Sequence, residues 1–183
     1  MVRRSNSQVL KYVPNMTAFT TDRLSLEILT TRHWAFIREL VNTEGWLRFI
    51  GDRNVLSHED AIAYINKINN TPNLTYWIVC LKETNAPIGI ITFLKRNYLE
   101  HFDIGFAFLP AYNRQGYAYE AAREVLSHVT QMPEHRIVLA TTISENASSI
   151  MLLKKLGFHF EKKVDTGGLE LEVYSNANDD DQE

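Results

Sequence analysis

Residues Asn113-Arg114-Gln115-Gly116-Tyr117-Ala118-Tyr119-Glu120 have the types and order of a phosphate-holding turn. A polar stretch with one glycine runs directly into an alanine-rich amphipathic pattern. A helix that opens on such a turn presents unpaired backbone N–H groups and the positive end of its dipole, which hold a phosphate without a dedicated cation. Gly116 lets the backbone approach closely, and Ala118 keeps bulk out of the first turn. Arg114, Gln115, Gly116, Tyr117, Ala118 and Tyr119 are therefore the candidate contacts to a phosphorylated cofactor. The two tyrosines fit flanking a ligand and packing on the helix surface equally well. Glu120, in the first turn, suits the helix dipole better than it suits chemistry.

Three other groups have residue types that could react or recognise. Asp103 lies on the β-rich run before the turn, where a carboxylate serves either as a general base through a water or as a plain strand carboxylate beside a cation. Asn146-Ala147-Ser148-Ser149 opens a short helical stretch; Asn146 suits both a helix cap and a ligand contact, and Ser149 offers a hydroxyl. Trp46, Arg48, Phe49, Asp52 and Arg53 fall in a connection, 42–55, longer than the usual roughly 4–6 residues, and such loops line binding sites. The alternative, a loop pinned into the core by Trp46 and Phe49, explains the aromatics but not the charges. The six histidines show no metal-ligand spacing, so no metal is expected. Cys80, the single cysteine, sits in the apolar run Tyr76–Leu81 and reads as a buried structural thiol.

The elements that must position these groups follow from hydrophobic period. Asp22 to Leu29 alternates like a half-buried strand, and Thr31 is placed to cap a helix carrying Trp34, Ile37 and Val41. Ser57-His58-Glu59-Asp60 approximates a capping box ahead of the stripe Ala61, Tyr64, Ile65, Ile68. Runs 75–81 and 88–94 form a hairpin, and 102–109 is a third strand. The helix after Gly116 carries apolar residues at 118, 121, 122, 125, 126 and 129 and ends before Pro133. Run 137–143 has the composition of a central strand; a helix from Asn146 to Leu156, stopped by Gly157, and strands 158–164 and 169–174 follow. The expected order is β-α-α-β-β-β-α-β-α-β-β.

With 183 residues, 45% of them hydrophobic, the chain suits one ordinary domain. No run approaches the roughly 18 apolar residues of a membrane span, and Arg3 and Arg4 are followed by polar residues, unlike a signal peptide, so a cytoplasmic protein is expected. The net charge of −3 is concentrated in the tail, where Asp179, Asp180, Asp181 and Glu183 lie. The nearly neutral body offers no electrostatic footprint for nucleic acid. The expected organisation is an arm or peripheral strand at 1–20, a domain at 21–175 and an acidic, disordered tail at 176–183.

This order, with the glycine turn after the fourth strand, resembles the GNAT superfamily of N-acetyltransferases. Asp103-Ile104-Gly105-Phe106-Ala107-Phe108-Leu109-Pro110 is similar to that family's splayed strand and its exit, and Asn113 to Glu120 to its pyrophosphate loop. Asn146-Ala147-Ser148-Ser149 with Leu153-Lys154-Lys155-Leu156-Gly157-Phe158 is similar to the helix and strand flanking the pantetheine arm. Together with Thr21-Asp22-Arg23-Leu24, this last motif is most like the branch of ribosomal-protein-alanine N-acetyltransferases. The resemblance covers about residues 20–175. It implies a single mixed α/β domain of α+β type, with a twisted, mostly antiparallel sheet of about seven strands splayed at the cofactor and about four helices. It also implies acetyl-CoA as co-substrate, with Phe106, Ala107, Phe108, Asn146 and Ser149 joining the loop as cofactor contacts, and Trp46, Arg48, Phe49 and Arg53 facing the acceptor groove. Two positions depart from the family pattern. Asn113 stands where Gln or Arg is common, and Leu153 stands where many members carry a tyrosine general acid. That leaves Ser149 or a water to protonate the leaving thiol.

The resemblance implies acetyl transfer to a primary amine, a protein N-terminus or a small molecule, by direct attack in a ternary complex. Such transfer needs a held thioester, a neutral amine, stabilisation of the oxyanion and a protonated leaving thiol. Backbone groups of Phe106 to Phe108 could pair with pantetheine as an added strand. A non-catalytic acyl-CoA-binding module is the alternative, because the tyrosine is missing. A dinucleotide-binding fold is excluded by glycine spacing and by the meander before the loop. The acceptor, and whether the protein is a monomer or a homodimer, stay open.

Overall fold

The computed structural model describes residues 18–177; the arm residues before this range and the acidic residues after it lie outside the description. The strands are β1 (Ala18–Thr20), β2 (Leu24–Ile28), β3 (Leu74–Leu81), β4 (Pro87–Lys95), β5 (Phe102–Phe108), β6 (Leu139–Thr142), β7 (His159–Asp165) and β8 (Glu170–Ser175). The α-helices are α1 (Trp34–Val41), α2 (Glu44–Phe49), α3 (His58–Asn70), α4 (Tyr117–Val129) and α5 (Ala147–Lys155). One sheet contains all eight described strands in the order β1-β2-β3-β4-β5-β6-β8-β7.

Alternation within the strands sorts side chains onto two faces. Leu24, Leu26, Trp77, Val79, Ile91, Phe93 and Ile104 pack with Ala121, Ala122, Val125 and Val129 of α4 and Leu153 of α5. Ile78, Cys80 and Ile90 point the other way, toward Phe36, Ile37 and Leu40 of α1, Trp46 of α2, and Ala61, Ile65 and Ile68 of α3. Each fully buried aliphatic side chain contributes about 1.5–3 kcal/mol relative to exposure, so the two layers clamp the sheet from both sides. The Cys80 thiol is buried, which pushes its pKa up to about 11 and leaves it protonated and inert.

Ala18–Thr20, the end of the stretch read as an arm or a peripheral strand, is an edge strand paired antiparallel with β2 through Phe19↔Leu26. One element adds to the sequence expectation. Within the connection 42–55, the segment Glu44–Phe49 forms α2, capped by Thr43, whose hydroxyl accepts from the Trp46 N–H at 3.4 Å. At α1, Thr31 does not cap; a 3-10 turn, Thr31–His33, precedes the helix, and the Thr30 N–H donates to His33 Nδ1 at 3.0 Å. The capping box before α3 is present, with Ser57 Oγ accepting from the Asp60 N–H at 3.1 Å and Asp60 Oδ2 accepting from the Ser57 N–H at 2.8 Å.

All neighbouring strands run antiparallel except β5 and β6, which are parallel and joined by the α4 crossover. Their ladder consists of one pair, Asp103↔Leu139, beyond which the two strands part. This opening positions the site.

Candidate active site

At the far end of the opening, the chain leaves β5 through a 3-10 turn, Pro110–Tyr112, and reaches α4 by two left-handed residues, Arg114 (φ 61°) and Gly116 (φ 84°). Gly116 adopts this conformation at no steric cost, whereas Arg114 is strained by roughly 1–2 kcal/mol. Among the described residues no side chain caps α4, and its first intrahelical bond runs from the Glu120 N–H to the Gly116 carbonyl at 3.0 Å. The N–H groups of Tyr117, Ala118 and Tyr119 therefore open outward at the positive end of the helix. These donors have the placement that the residue types suggest for holding an anion.

The seat is braced from behind by a residue that sequence reasoning did not single out. Arg23, just ahead of β2, donates from Nε to Glu120 Oε2 at 2.7 Å and from NH1 to the Gln115 carbonyl at 3.1 Å, with its guanidinium 4.3 Å from the centre of the Tyr117 ring. Glu120 Oε1 accepts from Thr21 Oγ1 at 2.5 Å and from the Arg23 N–H at 3.1 Å. Partial burial pushes the Glu120 pKa up, but the bonds from Thr21 and Arg23 outweigh it and hold the carboxylate below its ordinary value. The only signal in the sequence was the motif Thr21-Asp22-Arg23-Leu24, whose two polar ends both reach Glu120. Tyr119 faces elsewhere: Lys155 Nζ lies 4.4 Å from its ring centre, tying α4 to α5.

Along the opening, β5 offers a free backbone edge. The Leu109 N–H bonds to the Ile88 carbonyl of β4, and alternation then places the Phe106 and Phe108 N–H and C=O groups on the edge facing β6. Ala107 turns its backbone toward β4 and its side chain toward the second core layer, so it does not present hydrogen-bonding groups on this edge. The Phe108 ring fills the space above Gly89, where an added Cβ would come within 2.3 Å of it.

The opposite wall is the first turn of α5. Asn146 caps it, its Oδ1 accepting from the Ser149 N–H at 3.2 Å and from Ser148 Oγ at 3.0 Å. Ser149 is half-buried, and among the described residues nothing hydrogen-bonds its hydroxyl. Leu153 is buried in the core, so the family's tyrosine position carries no proton here. Asp103 sits where the strands part. It is 1% exposed; Oδ2 accepts from Arg96 Nε at 3.0 Å and from Thr141 Oγ1 at 2.9 Å, and Oδ1 lies 3.4 Å from Arg96 NH2. It is thus a buried, cation-paired carboxylate and not a solvated one. Burial drives its pKa up, opposed by Arg96 and Thr141, and the net direction is upward.

A sequence profile of the acetyltransferase (GNAT) domain matches residues 23–159. The chain belongs to the GNAT acetyltransferase family. It is 34% identical over 143 residues to the uncharacterised N-acetyltransferase YnaD of Bacillus subtilis, covering 78% of this chain and 82% of that one. A GNAT-family acetyltransferase from Bacillus anthracis superposes with a TM-score of 0.73 at 24% identity, covering 87% of this chain and 97% of the other. The ribosomal-protein-S5-alanine acetyltransferase of Vibrio fischeri gives a TM-score of 0.73 at 16% identity, covering 90% and 98%.

The protein is accordingly an acetyl-CoA-dependent N-acetyltransferase, and its geometry fits that co-substrate. The uncapped start of α4 has unpaired N–H groups of the kind that hold phosphates, and the free edge of β5 has backbone groups with which an amide-bearing arm could pair. The residues expected on the acceptor side lie in or just after α2, which packs on the sheet face opposite α4, and their surroundings differ. Trp46 is 4% exposed in the second core layer, and its Nε1 donates to the Gly51 carbonyl at 3.1 Å, so it pins the loop and faces no groove. Arg53 closes the end of α2, donating to the Ile50 carbonyl at 3.2 Å. Arg48 is exposed with its guanidinium 5.0 Å from the half-buried Phe49 ring, leaving these two at the rim.

Proposed function

We propose that this enzyme acetylates α-amines, either a protein N-terminus or a small α-amino compound, by direct attack in a ternary complex. The observation that carries this is the state of Asp103. The strand carboxylate expected to act as base is buried, and its oxygens are taken up by Arg96 and Thr141. Without a strong base, the acceptor must supply its own neutral fraction. At pH 7.5 roughly a quarter to two-fifths of an α-amine with pKa 7.7–8.0 is neutral, against about one in eight hundred for a lysine of pKa 10.4. Asp103 then holds the point where β5 and β6 part, and the amine proton leaves to solvent before attack.

The remaining roles follow from placement. Acetyl-CoA supplies the thioester. The N–H groups of Tyr117, Ala118 and Tyr119 hold its phosphates, and the Phe106 and Phe108 backbone edge aligns the arm. An N–H on that edge stabilises charge developing on the thioester oxygen, an effect of about 3 kcal/mol for one donor. As the C–N bond forms and the C–S bond breaks, Ser149 Oγ gives its proton to the departing sulfur and is reprotonated, through water, by the proton that the attacking nitrogen sheds on becoming an amide. Arg48 and Phe49 contact the acceptor from the rim. The name of the Vibrio fischeri neighbour, which refers to an alanine of a ribosomal protein, agrees with an α-amine acceptor.

The test is free-thiol release from acetyl-CoA with a panel of short peptides bearing a free N-terminus, free amino acids, and Nα-blocked lysine. Turnover is expected on α-amines, with a rate that rises with pH along the acceptor's own titration. Faster turnover on Nα-blocked lysine than on the α-amines would overturn the proposal.

A further inference from the structure

The peptide between Gln115 and Gly116 is held by its carbonyl, and the holder comes from 92 residues earlier in the chain. In a planar trans peptide the C=O and the following N–H point in opposite directions. When Arg23 NH1 draws the Gln115 oxygen toward itself at 3.1 Å, it therefore aims the Gly116 N–H away, toward the open side of the turn. The turn braced in this way also carries a strained residue, since Arg114 stands at φ 61° without being glycine.

Arg23 is in turn unable to swing. Nε and NH2 both lie 2.7 Å from Glu120 Oε2, its own backbone N–H donates to Oε1 at 3.1 Å, and the Tyr117 ring lies against the guanidinium plane at 4.3 Å. Glu120 is fixed further by the Thr21 hydroxyl at 2.5 Å. The two residues that orient Arg23, Tyr117 and Glu120, belong to the first turn of α4, the helix whose start takes the phosphates. The arrangement closes on itself: the helix orients the arginine, and the arginine orients the turn that leads into the helix. A lysine has the charge but not the planar fork that serves a carboxylate and a carbonyl at once.

We infer that Arg23 is a positioning residue for phosphate binding: it presets the Gln115–Gly116 peptide so that the N–H groups of the turn converge on the cofactor's phosphates, with Glu120 as its anchor. This rests on α4 as the phosphate seat. Its consequence is selective, because a donor lacking phosphates should not sense the residue.

The experiment compares wild type with Arg23→Gln, Arg23→Lys and Glu120→Gln, measuring Kd by titration calorimetry for coenzyme A and for pantetheine, which lacks the phosphates. Thermal midpoints of the ligand-free proteins are recorded alongside. For Arg23→Gln the coenzyme A Kd is expected to rise about tenfold, the worth of one charge-assisted hydrogen bond. The pantetheine Kd should stay the same, and Glu120→Gln should follow in the same direction. Equal weakening toward both ligands would overturn the inference in favour of general damage to the fold. So would unchanged coenzyme A affinity, and so would full restoration by Arg23→Lys, which would mean that charge alone matters. If Arg23→Gln fails to fold, the Lys and Glu120 variants carry the same comparison. No acceptor is present, so the result is independent of whether α-amines prove to be the substrates.

Discussion

Asp103 and Arg96 form an ion pair at the one rung where β5 and β6 still meet. The carboxylate is 1% exposed, the guanidinium side chain 34% exposed, and Thr141 of β6 adds a third contact at 2.9 Å. The pair therefore stitches the hairpin β4–β5 to the far half of the sheet at the point where the opening begins.

Removing the cation should expose the cost of burying Asp103. Arg96→Met is expected to destabilise the fold by about 3 kcal/mol at neutral pH, the low end for a broken buried pair because water reaches part of Arg96. The sign with pH follows from the upward direction of the Asp103 pKa, which losing Arg96 reinforces. A carboxyl whose folded pKa lies above its unfolded value supports folding fully at low pH, and that support is lost as pH rises through the folded value. The Arg96→Met deficit should accordingly be smaller at pH 5 than at pH 8 in urea unfolding. A deficit that grows on acidification would contradict the account. Asp103→Asn should keep the acceptor-linked pH–rate limb of the wild type.

Ser149→Ala tests the proton donor. Its hydroxyl is half-buried and uncommitted, while its backbone N–H is the one that Asn146 caps. Removing the hydroxyl therefore leaves the helix cap in place. Turnover should fall by about a hundredfold, the lower end for a general acid, with coenzyme A affinity changed little. Steady-state kinetics beside calorimetry separate the two, and undiminished turnover would assign the proton to water.

His135 carries a separate prediction for stability. It is buried against Phe93 and Phe102, its Nδ1 has no hydrogen-bond partner among the described residues, and burial lowers its pKa, against an upward pull from Glu134. For a base with a depressed folded pKa, the unfolded chain binds the proton first. Stability is thus lost as pH falls below the unfolded value of about 6.5. His135→Leu, which fills the site without a titrating group, should flatten the decline between pH 7 and pH 5 in denaturant midpoints.

What the sequence disclosed was whatever repeats locally. The stripe 118–129 shows its helix because burial repeats every three to four residues, and Ser57 with Asp60 shows a cap because its two partners are three residues apart. What escaped were contacts that only folding brings together. Arg23 and Glu120 lie 97 residues apart, and neither neighbourhood hints at the other. The burial of Asp103 depends on Thr141, 38 residues on, so its own strand left both of its readings open. The helix α2 was hidden by shortness: six residues leave no period to read, and its only landmarks are the Thr43 cap and the inward Trp46. Ala18–Thr20 could not be told from an arm for the same reason, being three residues on an edge.

The open start of α4 would also couple folding to loading. Among the described residues no side chain caps its donors, and a co-substrate seated there would add its binding energy to the native state. Loading and folding are then one linked equilibrium: a cofactor present at about a hundred times its Kd adds roughly 2.7 kcal/mol to the stability of the native chain. The cellular lifetime of such a protein would follow the supply of its acetyl donor, so that scarcity withdraws the catalyst together with its substrate.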